Sequence, residues 1–500
     1  MRRMTGWPAR KAAVLAAPLL ALAACDDARD DGVVDVAFIG EGQNVAASGL
    51  RLGPAAQHVR AATAQGLVAL DAGGEIVPGL AESWIVTDGG RTYIFRLRNT
   101  QWADGTRITG SMAAQSLLRA KRDLRGTTLG QDLSGMDAAV AMAGRVVEIR
   151  LASPMPDFLQ LLAQPELGIR REREGTGPMD FAAGEDGSAV LTARPPSDRG
   201  EPEREGWEDD FQPVRVVALP VEEALDGFAD GRFDAVLGGT LANLPLADTG
   251  ALTRGTVRLD PAVGLLGLRV LREEGPLADP AIREAVAMAI DRSDLLAPFN
   301  IAGWSPATRL AAPDQTAVQQ VGLERWADLS IDQRRDVARR RVLIWRANND
   351  ARGDDPLRLP VSLPEGPGSD LLLREINADL APANLQLERA GEGQRAQLAL
   401  IDRVARFPSI LWHLNQFHCD LGRAPCSPQA DALVDQAIRA VDGERRAQLL
   451  SEAEAALVDA NVYIPLGSPV RWAQVRGQVE GFVENGWTLH PLFALSRRPI

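Results

Sequence analysis

Two well-separated strand–helix–strand patterns constrain this chain more than any other feature of it. Residues 214–219 (Val-Arg-Val-Val-Ala-Leu) read as a strand, 221–229 as a short helix, and 233–237 as a second strand closed by Gly238 and Gly239. A crossover of this length joins parallel strands. The pattern returns at 357–363, 370–380 and 385–388. Each unit needs its own sheet and helical cover, and 500 residues exceed the usual size of a single core. The fold class is therefore α/β with two lobes. Ligands in such folds sit at strand ends or in the cleft between lobes.

The remaining pattern fits this frame. Residues 33–39 form an apolar strand bounded by Gly32 and Gly40, but Gly40-Glu41-Gly42 lacks the third glycine and following helix of a dinucleotide loop. Tyr93, Phe95 and Leu97 alternate with Ile94, Arg96 and Arg98, a half-buried strand that pairs across Asp88-Gly89-Gly90 with 84–86. A helix is expected over 112–122 and a strand over 146–151, whereas 123–145 carries no clear period. A short strand is expected over 189–193, and the Pro- and charge-rich run 195–209 reads as a surface loop. After a strand over 263–270, Asp279-Pro280 opens a helix with Asp as N-cap and Pro at the first helical position; Ile282, Ala285, Val286, Ala289 and Ile290 form its buried stripe. A further helix over 331–346 carries Arg334, Arg335, Arg339, Arg340 and Arg341, read as a solvated face. Helices over 432–440 and 446–458 precede a strand at 463–466.

The N-terminal segment is not part of the fold. Arg2, Arg3, Arg10 and Lys11 precede an uncharged run from 12 to 24. Thirteen helical residues rise about 20 Å, too short for a hydrocarbon core of about 30 Å, so the run reads as a secretory signal. It ends in Leu22-Ala23-Ala24-Cys25, which resembles the bacterial lipobox; that resemblance implies cleavage before Cys25 and lipidation of its sulfur. Asp26 and Asp27 resemble an inner-membrane retention signal, and 25–32 reads as a tether. The expected location is the periplasm, lipid-anchored, with the inner-membrane face favoured. The formal charge of -13 argues against a nucleic-acid partner.

Five segments then resemble the family 5 solute-binding proteins of bacterial ABC importers, the peptide, dipeptide and nickel group. They are Pro78-Gly79-Leu80-Ala81-Glu82-Ser83-Trp84 with Tyr93-Ile94-Phe95-Arg96-Leu97-Arg98 and Trp102-Ala103-Asp104-Gly105-Thr106; Gly175-Thr176-Gly177-Pro178; Gly275 to Arg292; Ser427 to Asp435; and Ile464-Pro465-Leu466 with Val479-Glu480-Gly481-Phe482. They occur in the family's order and identify a scaffold rather than a substrate. The resemblance implies a two-lobed, periplasmic-binding-protein-like fold (type II), with lobe I at 33–258 plus 460–500 and an extra subdomain at about 60–170. Lobe II would be 259–459. It also implies a monomeric receptor that captures a small solute, a peptide or peptide-like molecule, closes by hinge motion and delivers it to permease subunits. A sensory or structural protein on the same fold is the alternative, and an extracellular hydrolase the second.

Peptide binders of the family often carry an acid in a Tyr-Pro-Asp-like stretch. Here Phe407-Pro408-Ser409-Ile410 lacks it, and Arg403 and Arg406 stand nearby. A cleft arginine favours carboxylate or phosphate; a surface position is the plainer reading. Trp412, His413 and Asn415 lie in an unusual stretch, Leu-Trp-His-Leu-Asn-Gln-Phe-His-Cys, and with Asn44 complete the candidate ligand contacts. Core packing is the competing role for Trp412. Cys419 and Cys426 read most simply as a local disulfide outside the cytosol, with free thiols or a metal site formed with His413 and His418 as alternatives; the spacing matches no compact zinc pattern. No catalytic signature, metal or cofactor is expected: Gly-x-Ser-x-Gly, His-Glu-x-x-His and Walker A sequences are absent.

Overall fold

The computed structural model describes residues 32–499 except 41, 43, 173, 185, 248–254, 311–323, 352, 392 and 423. The signal segment and Cys25 lie outside the described residues.

Two sheets organise the chain. The first has seven strands, in the order Met179–Ala183, Ala189–Ala193, Val214–Leu219, Val34–Ile39, Ala235–Thr240, Arg471–Val475 and Val257–Asp260. Val34–Ile39 runs parallel to both Val214–Leu219 and Ala235–Thr240 and separates them. The crossover read from the sequence is thus parallel, but it skips one position in the sheet. The second sheet has five strands, Leu385–Arg389, Leu357–Ser362, Leu398–Val404, Gly264–Val270 and Tyr463–Gly467. Its first two are neighbours and parallel, joined through the helix Pro367–Leu380.

The chain leaves the first sheet after Asp260, enters the second at Gly264, and returns between Gly467 and Arg471. The expected return at 460 is corrected: Tyr463–Gly467 pairs with Gly264–Val270 because its continuous apolar run is buried on every side of the second sheet. A third sheet, Ala81–Thr87, Thr92–Leu97, Val146–Leu151 and Met136–Ala141, builds the inserted subdomain. Its last strand and the helix Thr128–Asp132 fall in the stretch that showed no period.

Several motifs have visible mechanical roles. Thr176 donates to the carbonyls of Gln65 and Ile169, and a Cβ on Gly177 would lie 2.2 Å from the Ala62 carbonyl, so this turn seats directly on the end of the helix Pro54–Thr63. Asp279 accepts from Ala281 N at 2.8 Å and starts the helix Pro280–Ala289. Arg292 donates to the carbonyls of Ala287 and Ile290 at its other end, and to Pro465 O at 2.7 Å, tying it to the second sheet. On the arginine-rich helix Ile331–Asn348, Arg335 pairs with Asp379 and Arg341 with Glu284, so that face is partly a docking surface rather than wholly solvated.

The subdomain does not pack on lobe I alone. Its apolar core, which includes Leu129, Leu133 and Phe158, continues through Phe407, Ile410, Leu411 and Trp412 into the helices Pro428–Arg439 and Gly443–Ala460. The two lobes therefore touch along one side, with an open crevice on the other.

Candidate functional site

The crevice, about 660 Å³ in volume, lies between the two large sheets. Phe38, Leu237 and Thr240 bring the carboxyl ends of two parallel strands of the first sheet to its wall. The second sheet contributes 402–404, followed by Ala405 and Arg406, and the subdomain contributes 127–129 and 164–166. The segment 487–490 also lines it.

Trp472 stands where the chain re-enters the first sheet. Its indole Nε1 donates to Thr240 O at 3.0 Å and Asn243 Oδ1 at 3.1 Å, and its ring occupies the space where a Cβ on Gly239 would fall. Beside it, Arg471 of the first sheet donates to Asp402 of the second, at 2.6 Å through the carboxylate and 3.2 Å through the backbone carbonyl. That pair clasps the two sheets at their crossing.

Among the described residues, the crevice wall carries Arg51, Arg403, Arg406 and Arg471 against Glu166, Asp260 and Asp402. All three carboxylates are engaged by the protein. Asp402 holds Arg471. Asp260 accepts from Asn485 N at 3.0 Å and from His490 Nε2 at 3.2 Å. Glu166 holds Arg406 through both oxygens, at 2.8 and 2.9 Å, and also accepts from Gln57. Burial alone would raise the Glu166 carboxyl, but Arg406 outweighs it and keeps it below the usual range.

A buried, stacked histidine pair, His58 and His490, lies on the same wall. The amide of His490 donates to His58 Nε2 at 3.1 Å, so Nε2 is unprotonated and Nδ1–H donates to Pro54 O at 2.8 Å. His58 is neutral in this tautomer. Burial, reinforced by His490 nearby, pushes its pKa down to about 3.

The sequence-derived candidates separate into two groups. Arg403, Arg406 and Trp412 line the crevice. Arg403 donates to Gln416 Oε1 at 3.0 Å. Arg406 also donates to Gln164, and together with its Glu166 pair this makes it a latch between the lobes. Trp412 presents part of its surface to the crevice but is only 2% exposed and belongs to the shared core.

Asn44, His413 and Asn415, also expected as ligand contacts, are not among the residues that line the crevice. Asn44 is exposed and its side chain accepts from Ala46 N, closing a local turn. His413 is fully buried; its Nδ1 lies 3.0 Å from Ser409 O, and burial pushes its pKa down to about 4. Asn415 donates to Asp132 at 2.8 Å. In the helix Ile410–Asn415 every residue is buried, so its polar members serve packing and lobe contact. Cys419 and Cys426 are bonded, with Cα atoms 5.3 Å apart. No group of three or more His, Cys, Asp or Glu among the described residues is placed to hold a metal ion.

Asp132 carries a pH-dependent prediction. It is buried, and desolvation lifts its pKa to about 7, against smaller opposing effects of Asn415 and Arg406. The folded chain then holds one more proton than the unfolded chain between the ordinary value of 3.8 and about 7. Its contribution to stability therefore falls as pH rises through that window. Asp132→Asn should raise stability by about 2–4 kcal/mol at pH 8, with a gain that shrinks towards pH 4, as read by urea denaturation at each pH. An equal effect at both pH values would show that the carboxylate is not desolvated.

Comparison with known proteins places this geometry. The model of the bacterial extracellular solute-binding proteins, family 5, middle region, matches residues 75–319. The chain belongs to this family. This family 5 protein is also similar to the probable deoxycholate-binding periplasmic protein YgiS of Escherichia coli K12, with 24% identity covering 80% of this chain and 82% of YgiS. Its fold is that of the murein tripeptide binding protein MppA of Escherichia coli, at a TM-score of 0.75 and 17% identity, covering 94% of this chain and 99% of the other. It is equally that of Haemophilus influenzae OppA in complex with RPPGFSPFR, at a TM-score of 0.74 and 16% identity, over 94% and 99% of the two chains. The two-lobed binding-protein fold follows, and family membership makes this a solute-binding protein of ABC importers rather than an enzyme.

The sequence did not point to Glu166, Asp132, Asp260, His490 or Arg471. Glu166 lies 240 residues from Arg406, and Asp132 lies 283 residues from Asn415, so no local pattern joins them. The arginines without a following acid at 407–410 were the one available signal that this wall is cation-rich.

Proposed function

We propose that this protein is the periplasmic receptor of an ABC importer, anchored through a lipid on Cys25, which captures a peptide or peptide-like solute between its lobes. The observation that carries the reading is the crevice of about 660 Å³ at strand ends, flanked by the Arg471–Asp402 clasp and the Arg406–Glu166 latch. A small-molecule site of several hundred Å³ buries most of a ligand of peptide size. The two lobes, one on each large sheet, would swing about the two chain crossings, and the closed monomer would present the solute to the permease. Relatives named as peptide-binding or deoxycholate-binding support an organic solute with polar groups. A sensory role without a solute would need a crevice filled by the protein's own side chains, which a volume this large argues against.

A thermal-shift panel of short peptides, bile acids and opine-like carboxylates tests the reading. At a hundredfold excess over Kd, a true solute adds about 2.7 kcal/mol of stability. Failure of every member of a broad panel to move Tm would count against a solute receptor.

A further inference from the structure

We infer that the inserted subdomain travels with the second lobe, so that capture is a movement of the first sheet against one body built from the subdomain and the second lobe. Chain order sets the subdomain inside the first lobe, but packing sets it elsewhere. Among the described residues, the cores of the first sheet hold no residue between Ala62 and Met179. The subdomain's own core runs instead into the second lobe, where it takes in Ile410, Leu411, Trp412 and Leu450, and it includes no residue from a strand of the first sheet.

The two seams of the subdomain differ in the same sense. Toward the second lobe, Met136, Leu151 and Phe158 meet Leu411, Ile438 and Arg446 around a void of only about 20 Å³. Asp132 and Asn415, bonded to each other from the two sides of this seam, are both buried. Toward the first lobe lies a cavity of about 510 Å³, with Ala61, Phe493 and Arg497 on one side and Val68 and Asp71 on the other. Polar bonds span that side: Gln57 donates to Glu166 at 3.1 Å, Asn485 to the Ala72 carbonyl at 3.2 Å and the Trp487 indole to the Gly74 carbonyl at 3.1 Å. Leu50 and Trp487 of the first lobe reach the subdomain core only as half-buried side chains. A tight apolar seam resists parting through the area it would expose, whereas polar bonds on a loosely packed seam exchange for water at small net cost. Relative motion follows the weaker seam.

The first sheet also meets the second lobe through the turn Leu241–Leu246, seated on Gly366 and Gly368. Asn243 of that turn holds the Trp472 indole where the chain re-enters the first sheet, so this contact sits at the pivot. The crevice residues 127–129, 164–166 and 402–406 would then move as one wall against the strand ends of the first sheet. This goes beyond the receptor reading and rests on packing alone.

The test needs no solute. Gln115 of the subdomain, Gln436 of the second lobe and Glu223 of the first lobe are exposed. Nitroxide labels would be placed pairwise through Gln115→Cys, Gln436→Cys and Glu223→Cys, in the chain from residue 25 onward with Cys25→Ser; Cys419 and Cys426 are bonded to each other and stay unlabelled. Pulsed dipolar EPR should give one narrow distance for 115–436, and distributions at least about twofold broader for 115–223 and 223–436. A 115–436 distribution as broad as that of 115–223 would overturn the inference. Hydrogen exchange supplies a second readout. Phe158→Leu should speed exchange about tenfold both in the subdomain strands Thr92–Leu97 and Val146–Leu151 and in the helices Pro428–Arg439 and Gly443–Ala460, leaving Val34–Ile39 and Ala235–Thr240 within about twofold. Faster exchange in the first sheet with those two helices unchanged would overturn it as well. Either failure leaves the receptor reading standing, and failure of the solute panel leaves this inference standing.

Discussion

Arg406→Ala is expected to lower folding stability by about 3–5 kcal/mol, because it leaves Glu166 buried and ionised without its partner. Glu166 is 3% exposed, so water cannot replace the lost guanidinium. The effect should appear as a lower urea midpoint. It should be accompanied by a larger radius of gyration, since the pair joins a subdomain segment to the second lobe across the crevice. Replacing both partners by leucine should recover much of the loss, as removing both charges together avoids the orphaned carboxylate. A loss under about 1 kcal/mol with no change in size would mean that the latch contributes little. A weaker affinity at unchanged stability would instead return Arg406 to the role of ligand contact that its position in the sequence first suggested.

Trp412→Ala should be similarly severe, at about 3–5 kcal/mol, from lost burial plus the cavity left behind. The indole sits among Ile410, Leu411 and Leu414 in the core shared by the subdomain and the second lobe, and its ring meets His413 edge-on at 5.0 Å. Trp412→Phe should cost less, because a ring remains in the same space. Denaturation curves separate this from a pure ligand role, in which both variants would keep wild-type stability.

Fold and site were legible in the sequence to different degrees. Elements with strong local chemistry were readable: the Asp279-Pro280 start of helix Pro280–Ala289, the alternation in Thr92–Leu97, and the parallel pair Leu357–Ser362 and Leu385–Arg389 all follow from period and capping. What the sequence lacked was sheet order. Nothing local says that Val34–Ile39 inserts between Val214–Leu219 and Ala235–Thr240, or that Tyr463–Gly467 leaves its C-terminal neighbours to join the second sheet. The helix Thr128–Asp132 and strand Met136–Ala141 were obscured because their residues alternate weakly and glycines surround them.

The site shows the same divide. Arg403, Arg406 and Trp412 were found because residue type and an absent acid marked the stretch. His413 and Asn415 share that stretch, but a helix turns its successive side chains in different directions, so neighbours in sequence do not share a wall. Asn44, chosen near the end of the first strand, spends its side chain on its own turn. The partners that decide what the arginines do are acids on distant segments, visible only once the chain is folded.

The most direct test of the central claim is native mass spectrometry of the protein purified from its own host. The account predicts one small organic molecule per chain that leaves when the protein is unfolded and rebinds to the refolded chain with a rise in Tm. A chain that carries nothing, and whose Tm no member of the solute panel moves, would contradict it.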